Sequence, residues 1–231
     1  MAREVCARVV GLVSVLLTLG ACSSGGGSAD DRQQGYADAC THLLGDEGMR
    51  WLRSGIDDVE FNEPGSMKFA RSHFRKQVGD YQPGDVPYFT DSGVCGAYKP
   101  AADGPSEKRL SLRYGASPYP FDWDFATPDE NDPGAEVVTV TPEVKLVYGP
   151  HRRMADSTHY RIYVKCGVAG AAESSIDEIP LQGSLVDTLT GDSSHRAHLK
   201  YLLHSSKVVV DSFGCTNKPE IPTNVPASVS P

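Results

Sequence analysis

Residues 158–166 (Thr-His-Tyr-Arg-Ile-Tyr-Val-Lys-Cys) alternate between two kinds of side chain. Tyr160, Ile162, Val164 and Cys166 fall on one side; His159, Arg161, Tyr163 and Lys165 fall on the other. A period of two marks a strand with one buried face. Residues 108–114 alternate in the same way, and 94–98 form a shorter β-rich run. Residues 136–141 and 145–148 flank Pro142 as two further strands, and 179–185 predict a short edge strand. Elsewhere the spacing is closer to 3.6. Ala37, Cys40, Leu43, Leu44, Met49, Trp51 and Leu52 give helix over 36–54, with Gly45 and Gly48 interrupting it and a second helix starting near Asp46. Val59 and Phe61 predict a short strand closed by Pro64-Gly65. Ser66 reads as an N-cap for a helix carrying Met67, Phe69, Ala70, Phe74 and Val78. The last element is the clearest. Asp192-Ser193-Ser194 leads into a helix over 195–213, with an apolar stripe of Leu199, Leu202, Leu203, Val209, Val210 and Phe213, and Gly214 ends it. The valines at 208–210 are poor helix formers, so a frayed last turn is expected. Helices first, strands in the centre and a closing helix predict an α+β fold: an antiparallel sheet packed against N-terminal helices and a C-terminal helix.

The chain begins differently. Arg3 and Arg8 precede an apolar run from Val9 to Gly20. A dozen helical residues span only about 18 Å, against about 30 Å of hydrocarbon in a bilayer. Short, positively flanked and N-terminal is the pattern of a secretory signal. Its end, Leu19-Gly20-Ala21-Cys22, resembles the lipobox of bacterial lipoproteins. That resemblance implies a diacylglycerol on the Cys22 thiol, fatty acyl chains such as palmitate on the new N-terminus, and cleavage before Cys22. The organisation expected is a signal peptide over 1–21, a flexible Gly/Ser tether over 22–35, one extracytoplasmic domain over 36–216 and a Pro-rich disordered tail over 217–231.

Composition narrows the partners. The chain carries 22 basic and 30 acidic residues, a formal charge of −8, and loss of Arg3, Arg8 and Glu4 with the signal takes it to −9. Without a Lys/Arg cluster, nucleic acid is not an expected partner. The membrane is met through the lipid on Cys22. Of six cysteines, Cys6 leaves with the signal and Cys22 is the lipid acceptor. Cys40, Cys95, Cys166 and Cys215 remain, an even number in an oxidising location, and predict two disulfides. Four cysteines permit three connectivities and the sequence does not choose among them. The expected pairing is Cys40–Cys95 with Cys166–Cys215, each within its own half of the chain. The four are too scattered for a zinc site.

Four segments together carry a family resemblance: Ala39-Cys40-x-x-Leu43-Leu44 after the tether, Cys95-Gly96-Ala97-Tyr98, Val164-Lys165-Cys166, and Phe213-Gly214-Cys215. They resemble a group of actinobacterial cell-envelope lipoproteins of unknown function over most of 36–216. The resemblance implies an extracytoplasmic α+β domain and transfers no catalytic residue.

Candidate chemistry is sparse. His195 and His198 share a helix face, and His204 follows on the same helix, but no third ligand or H-E-x-x-H motif accompanies them. The expectation is a solvated polar face with no metal. Asp122, Asp124 and the acidic run 129–132 lack the order of a calcium loop. In the same irregular loop, spanning 116–133, Tyr119, Phe121, Trp123 and Phe125 form the candidate ligand-binding set, stiffened by Pro118 and Pro120. The simpler expectation is that these rings fold over the sheet as a lid on the core. No G-x-S-x-G elbow is present, the cysteines are spoken for, and Gly167–Gly170 is not a dinucleotide fingerprint, so neither a catalytic residue nor a cofactor is assigned. The function expected is a non-enzymatic binding or accessory module that meets an envelope protein or a wall ligand. The alternatives are a hydrolase acting on cell-wall material and a purely structural or assembly lipoprotein.

Overall fold

The computed structural model describes residues 29–54, 56, 58–62, 65–84, 88–100, 108–127, 134–151 and 154–230. The signal segment, Cys22, the Gly/Ser run and the acidic run 129–132 lie outside these residues. The elements are α1 (Ala29–Arg53), β1 (Glu60–Asn62), α2 (Met67–Asp80), β2 (Ser92–Lys99), β3 (Lys108–Ala116), β4 (Glu136–Thr141), β5 (Val144–His151), β6 (Met154–Val164), α3 (Ser175–Glu178), β7 (Leu181–Asp187) and α4 (His195–Phe213). Seven strands form one antiparallel sheet in the order β1-β2-β3-β7-β6-β5-β4. Helices α1, α2 and α4 pack on it as the α+β reading requires.

Strand β7 corrects the expectation of an edge strand, because it lies in the middle of the sheet between β3 and β6. Its glycine explains why. A Cβ on Gly183 would stand 2.4 Å from the Tyr114 ring and 2.8 Å from Ile162. The bare backbone lets the Tyr114 ring cross over β7 toward α4, where its hydroxyl meets Ser205 Oγ at 2.6 Å and Ser206 Oγ at 2.8 Å. A glycine that weakens a strand on its own is here a close-packing position.

Both disulfides join the expected partners, Cys40–Cys95 and Cys166–Cys215, each with a Cα–Cα distance of 4.9 Å. The first ties α1 to β2; the second ties the end of β6 to the end of α4. Closing loops of this length removes about 4 kcal/mol of chain entropy from the unfolded state for each bridge.

Three further expectations are corrected. Residues 29–35, assigned to the tether, are helical. Gln33 accounts for this: its Nε2 donates to Phe61 O and its Oε1 accepts from Phe61 N, both at 2.8 Å. One side-chain amide thus satisfies the outer edge of β1, which otherwise invites strand pairing. The Pro-rich tail is packed, not disordered. Ile221 and Val229 are buried, and Arg196 donates to the carbonyls of Val225, Pro226 and Val229. The last turn of α4 does not fray, since Val209, Val210 and Phe213 are buried and Gly214, at φ 67°, donates its N–H to Val210 O. The helix break expected near Asp46 is present as a kink at Gly45 (φ 69°, ψ 172°).

Candidate functional site

The candidate loop residues sit on the face of the sheet away from α1, α2 and α4, beside the short α3. Ser117 N donates to Pro180 O, Phe121 N to Asp177 O and Ala135 N to Phe125 O, at 2.7–2.9 Å, which fastens the loop at three points. Phe121 and Phe125 are buried against Val147 and Tyr163 and form a second, smaller core. Phe125 stacks on Tyr163 at 4.7 Å. Lys145 Nζ lies 4.9 Å from the Phe121 ring centre and donates to Phe121 O; burial, partly offset by Asp122, lowers the ammonium from its ordinary value. Lys165 stands 4.8 Å from the same ring and pairs with Asp177 at 2.6 Å. Arg161 lies over Phe125.

The four rings divide into two pairs. Phe121 and Phe125 are anchors. Trp123 is 46 % exposed, with Tyr119 packed against it at 5.3 Å. Asp124 fixes the following turn by accepting from Ala126 N and Thr127 Oγ1, and the Thr127 bond leads in holding its carboxyl below the ordinary value. The loop is both the expected lid and a platform that presents one large ring to solvent.

The histidines depart furthest from expectation. His198 is 2 % exposed and belongs to the core, not to a solvated face. Its Nε2 meets Asp187 Oδ2 at 2.9 Å and its Nδ1 meets Ser194 O at 2.7 Å. Both nitrogens therefore face acceptors within the protein. The ring stacks on Tyr160 at 4.5 Å and takes Trp51 edge-on at 5.2 Å. Asp187, its side chain 1 % exposed, also accepts from Leu189 N, Thr190 N and Thr190 Oγ1. Burial pushes its carboxyl up, but these bonds together outweigh burial and hold it below the ordinary value.

The network runs on to the surface. Tyr160 OH meets His195 Nδ1 at 2.9 Å, and burial pushes the phenol up to about 12. Burial, with the charge of His198 behind it, lowers His195 from its ordinary value. Trp51 Nε1 donates to Asp192 Oδ2 at 2.8 Å. His195 and His198 thus do not combine as metal ligands: one is taken by Tyr160, the other by Asp187 and Ser194. Among the described residues no group of three His, Cys, Asp or Glu side chains is arranged to hold a metal ion. The signal for His198 was its place four residues before Leu202, inside the apolar stripe, after a run of turn-forming acceptors at Asp187, Thr190, Asp192 and Ser194.

No protein-family model matches the chain, and no curated protein or solved structure matches it.

Proposed function

We propose that this chain is a lipid-anchored module of the cell envelope, held on the extracytoplasmic face through Cys22, that binds an envelope protein or wall ligand instead of transforming it. The lipobox sequence Leu19-Gly20-Ala21-Cys22 carries the reading. The two buried disulfides support it, because such bonds persist in oxidising compartments. Among the described residues no helix is long and apolar enough to cross a membrane. Helix α1 starts at Ala29, so six residues separate Cys22 from it. Six residues reach at most about 20 Å, which keeps the domain close to the bilayer.

Binding is favoured over catalysis by how the side chains are spent. The buried Asp187–His198 pair has both imidazole nitrogens committed within the protein. The loop, by contrast, uses two rings as anchors and offers Trp123 outward, as recognition loops on a rigid scaffold do.

The decisive test is Cys22→Ala in the full chain. Wild type is expected in the membrane fraction as a processed, acylated form, and the variant as an unprocessed, unacylated precursor. Processing and membrane retention equal to wild type would overturn the proposal.

A further inference from the structure

We propose a second site, independent of the lipid anchor: a groove between the α1 kink, the outer side of α4 and the C-terminal tail that takes a small ligand bearing a carboxylate on a compact apolar body. The groove encloses about 200 Å³ and runs into a neighbouring hollow of about 330 Å³ that shares Lys200 and Thr223 with it. A cavity of about 150 Å³ suffices for a benzene ring.

The floor is apolar and stiff. Leu44, Tyr201 and Leu203 form it, all buried, and Tyr201 is braced by stacking on Trp51 at 4.6 Å. One wall is the tail at Pro222 and Thr223, held by the three Arg196 bonds just beyond and by buried Ile221. A segment with so little apolar periodicity is pinned here into a fixed edge. The opposite wall is Gly45 and the turn after it. Gly45 is left-handed, and a Cβ there would stand 3.2 Å from His204 Nε2, so the imidazole lies directly over bare backbone.

The rim carries both signs: Lys200 and Lys207 stand with His204 on α4, and Asp46 and Glu47 stand on α1. Lys200, His204 and Lys207 follow at spacings of four and three on α4, one side of a helix. Lys200 already holds a carboxylate: Glu47 Oε1 lies 2.6 Å from its Nζ across the groove. That bond leads in lowering Glu47 and raising Lys200 from their ordinary values. The Glu47 side chain is 62 % exposed and that of Lys200 45 % exposed. Exposed pairs of this kind contribute little to stability. Glu47 can therefore swing into water and leave Lys200 to a ligand carboxylate at small cost. Glu47 marks where the ligand's anion sits; the apolar floor takes its body.

The test uses the full chain in a neutral detergent, with benzoate as probe, benzamide as the uncharged isostere and phenyl phosphate as the rival anion. Benzoate is expected to shift the NMR amide signals of Gly45, Glu47, Tyr201 and His204, with saturation in the millimolar range. Lys200→Met is expected to weaken it about threefold, the loss of one partly exposed ion pair. Glu47→Gln is expected to tighten it several-fold, since the internal competitor is gone; a groove that only recognised apolar bodies would not respond in this direction. Both side chains are exposed, so both variants keep the fold, and unchanged spectra away from the groove confirm that. Equal shifts from benzamide, tighter binding of phenyl phosphate, or no shift at these residues up to about 50 mM, well beyond a millimolar Kd, would overturn the proposal.

Discussion

His198 and His204 occupy the same helix and meet opposite surroundings. They stand six positions apart, about 9 Å along the axis and about 120° around it. That rotation carries one imidazole into the core, against Asp187, Tyr160 and Trp51, and the other to the rim of a groove over Gly45. Inside, the polar atoms of the network are matched: four groups bond to the Asp187 carboxylate, both nitrogens of His198 meet an oxygen, and the hydroxyl protons of Tyr114, Ser205 and Ser206 are shared among their own oxygens and Leu202 O. Outside, the charges are paired in water, closely in Lys200–Glu47 and at 4.0 Å in Lys207–Asp211, with all four side chains exposed. The inner side of α4 is built to stay as it is; the outer side is built to exchange partners.

The largest effect should come from breaking the inner pair. His198→Ala leaves the buried Asp187 carboxylate without its imidazole partner, which costs about 3–5 kcal/mol. His204→Ala, on the outer side, is expected to change stability by less than about 0.5 kcal/mol. Urea unfolding of the two variants measures the contrast, and matching midpoints would abolish it. The double variant Asp187→Asn with His198→Ala is expected to recover part of the loss, because the charge is gone while an amide oxygen still accepts from Leu189 N and Thr190 N.

Acid should dissect the same network in two steps. His195 has a lowered pKa in the folded state, so the unfolded chain takes up its proton first. Its contribution is whole above its ordinary value of 6.5 and fades as the pH falls below it. Asp187 is also lowered, so its contribution is whole above 3.8 and is lost as the pH falls through its folded value. Urea midpoints measured from pH 7.5 to pH 3 should therefore decline in a shallow step and then a steeper one. His195→Gln should remove the first step and leave the second. A single step below pH 4 in both proteins would show that His195 is not coupled to folding.

Tyr114→Phe is the next in size. The phenol is buried, which pushes its pKa up, and its hydroxyl bridges β3 to α4 through Ser205 and Ser206. Both serines also donate to Leu202 O, at 2.9 and 2.7 Å, so they keep a partner when the phenol goes. The expected loss is about 1–2 kcal/mol, the range for a buried hydrogen-bonded hydroxyl. A loss as large as that of His198→Ala would mean that the hydroxyl cluster, not the ion pair, holds α4 on the sheet.

These effects follow from features that the sequence revealed unevenly. The bounds of α4, the Ser66 cap, the break at Gly45 and the antiparallel strands were legible because each is written in a local period or a single capping residue. The disulfide pairing was one of three choices, and proximity in the fold decided it. What stayed hidden depends on one polar side chain reaching a distant backbone. Gln33 reaches residue 61 and makes helix of a supposed tether; Arg196 reaches residues 225–229 and makes a wall of a supposed loose end. No periodicity announces such contacts. β7 was misplaced for a related reason, since Gly183 weakens the local signal and gains its meaning from the Tyr114 ring of another strand. In the aromatic loop the split between anchors and presented rings was illegible, because the order Tyr119, Phe121, Trp123, Phe125 is a plain alternation that says nothing of which ring the sheet receives.

The smallest effect is the sharpest test of the outer side. Lys200→Ala breaks the only ion pair among the described residues that crosses from α4 to α1. If that pair were a structural tie, its loss would lower the urea midpoint and loosen α1 at the kink, visible as faster amide exchange at residues 46–50. We expect neither. The two helices are already joined beneath it by Trp51 packed on Tyr201 and His198, and α1 is held to the sheet by Cys40–Cys95. An unchanged midpoint with unchanged exchange would place Lys200 and Glu47 outside the machinery of folding. The pair is then free to open at no cost to the fold, which is what a ligand entering the groove requires of it.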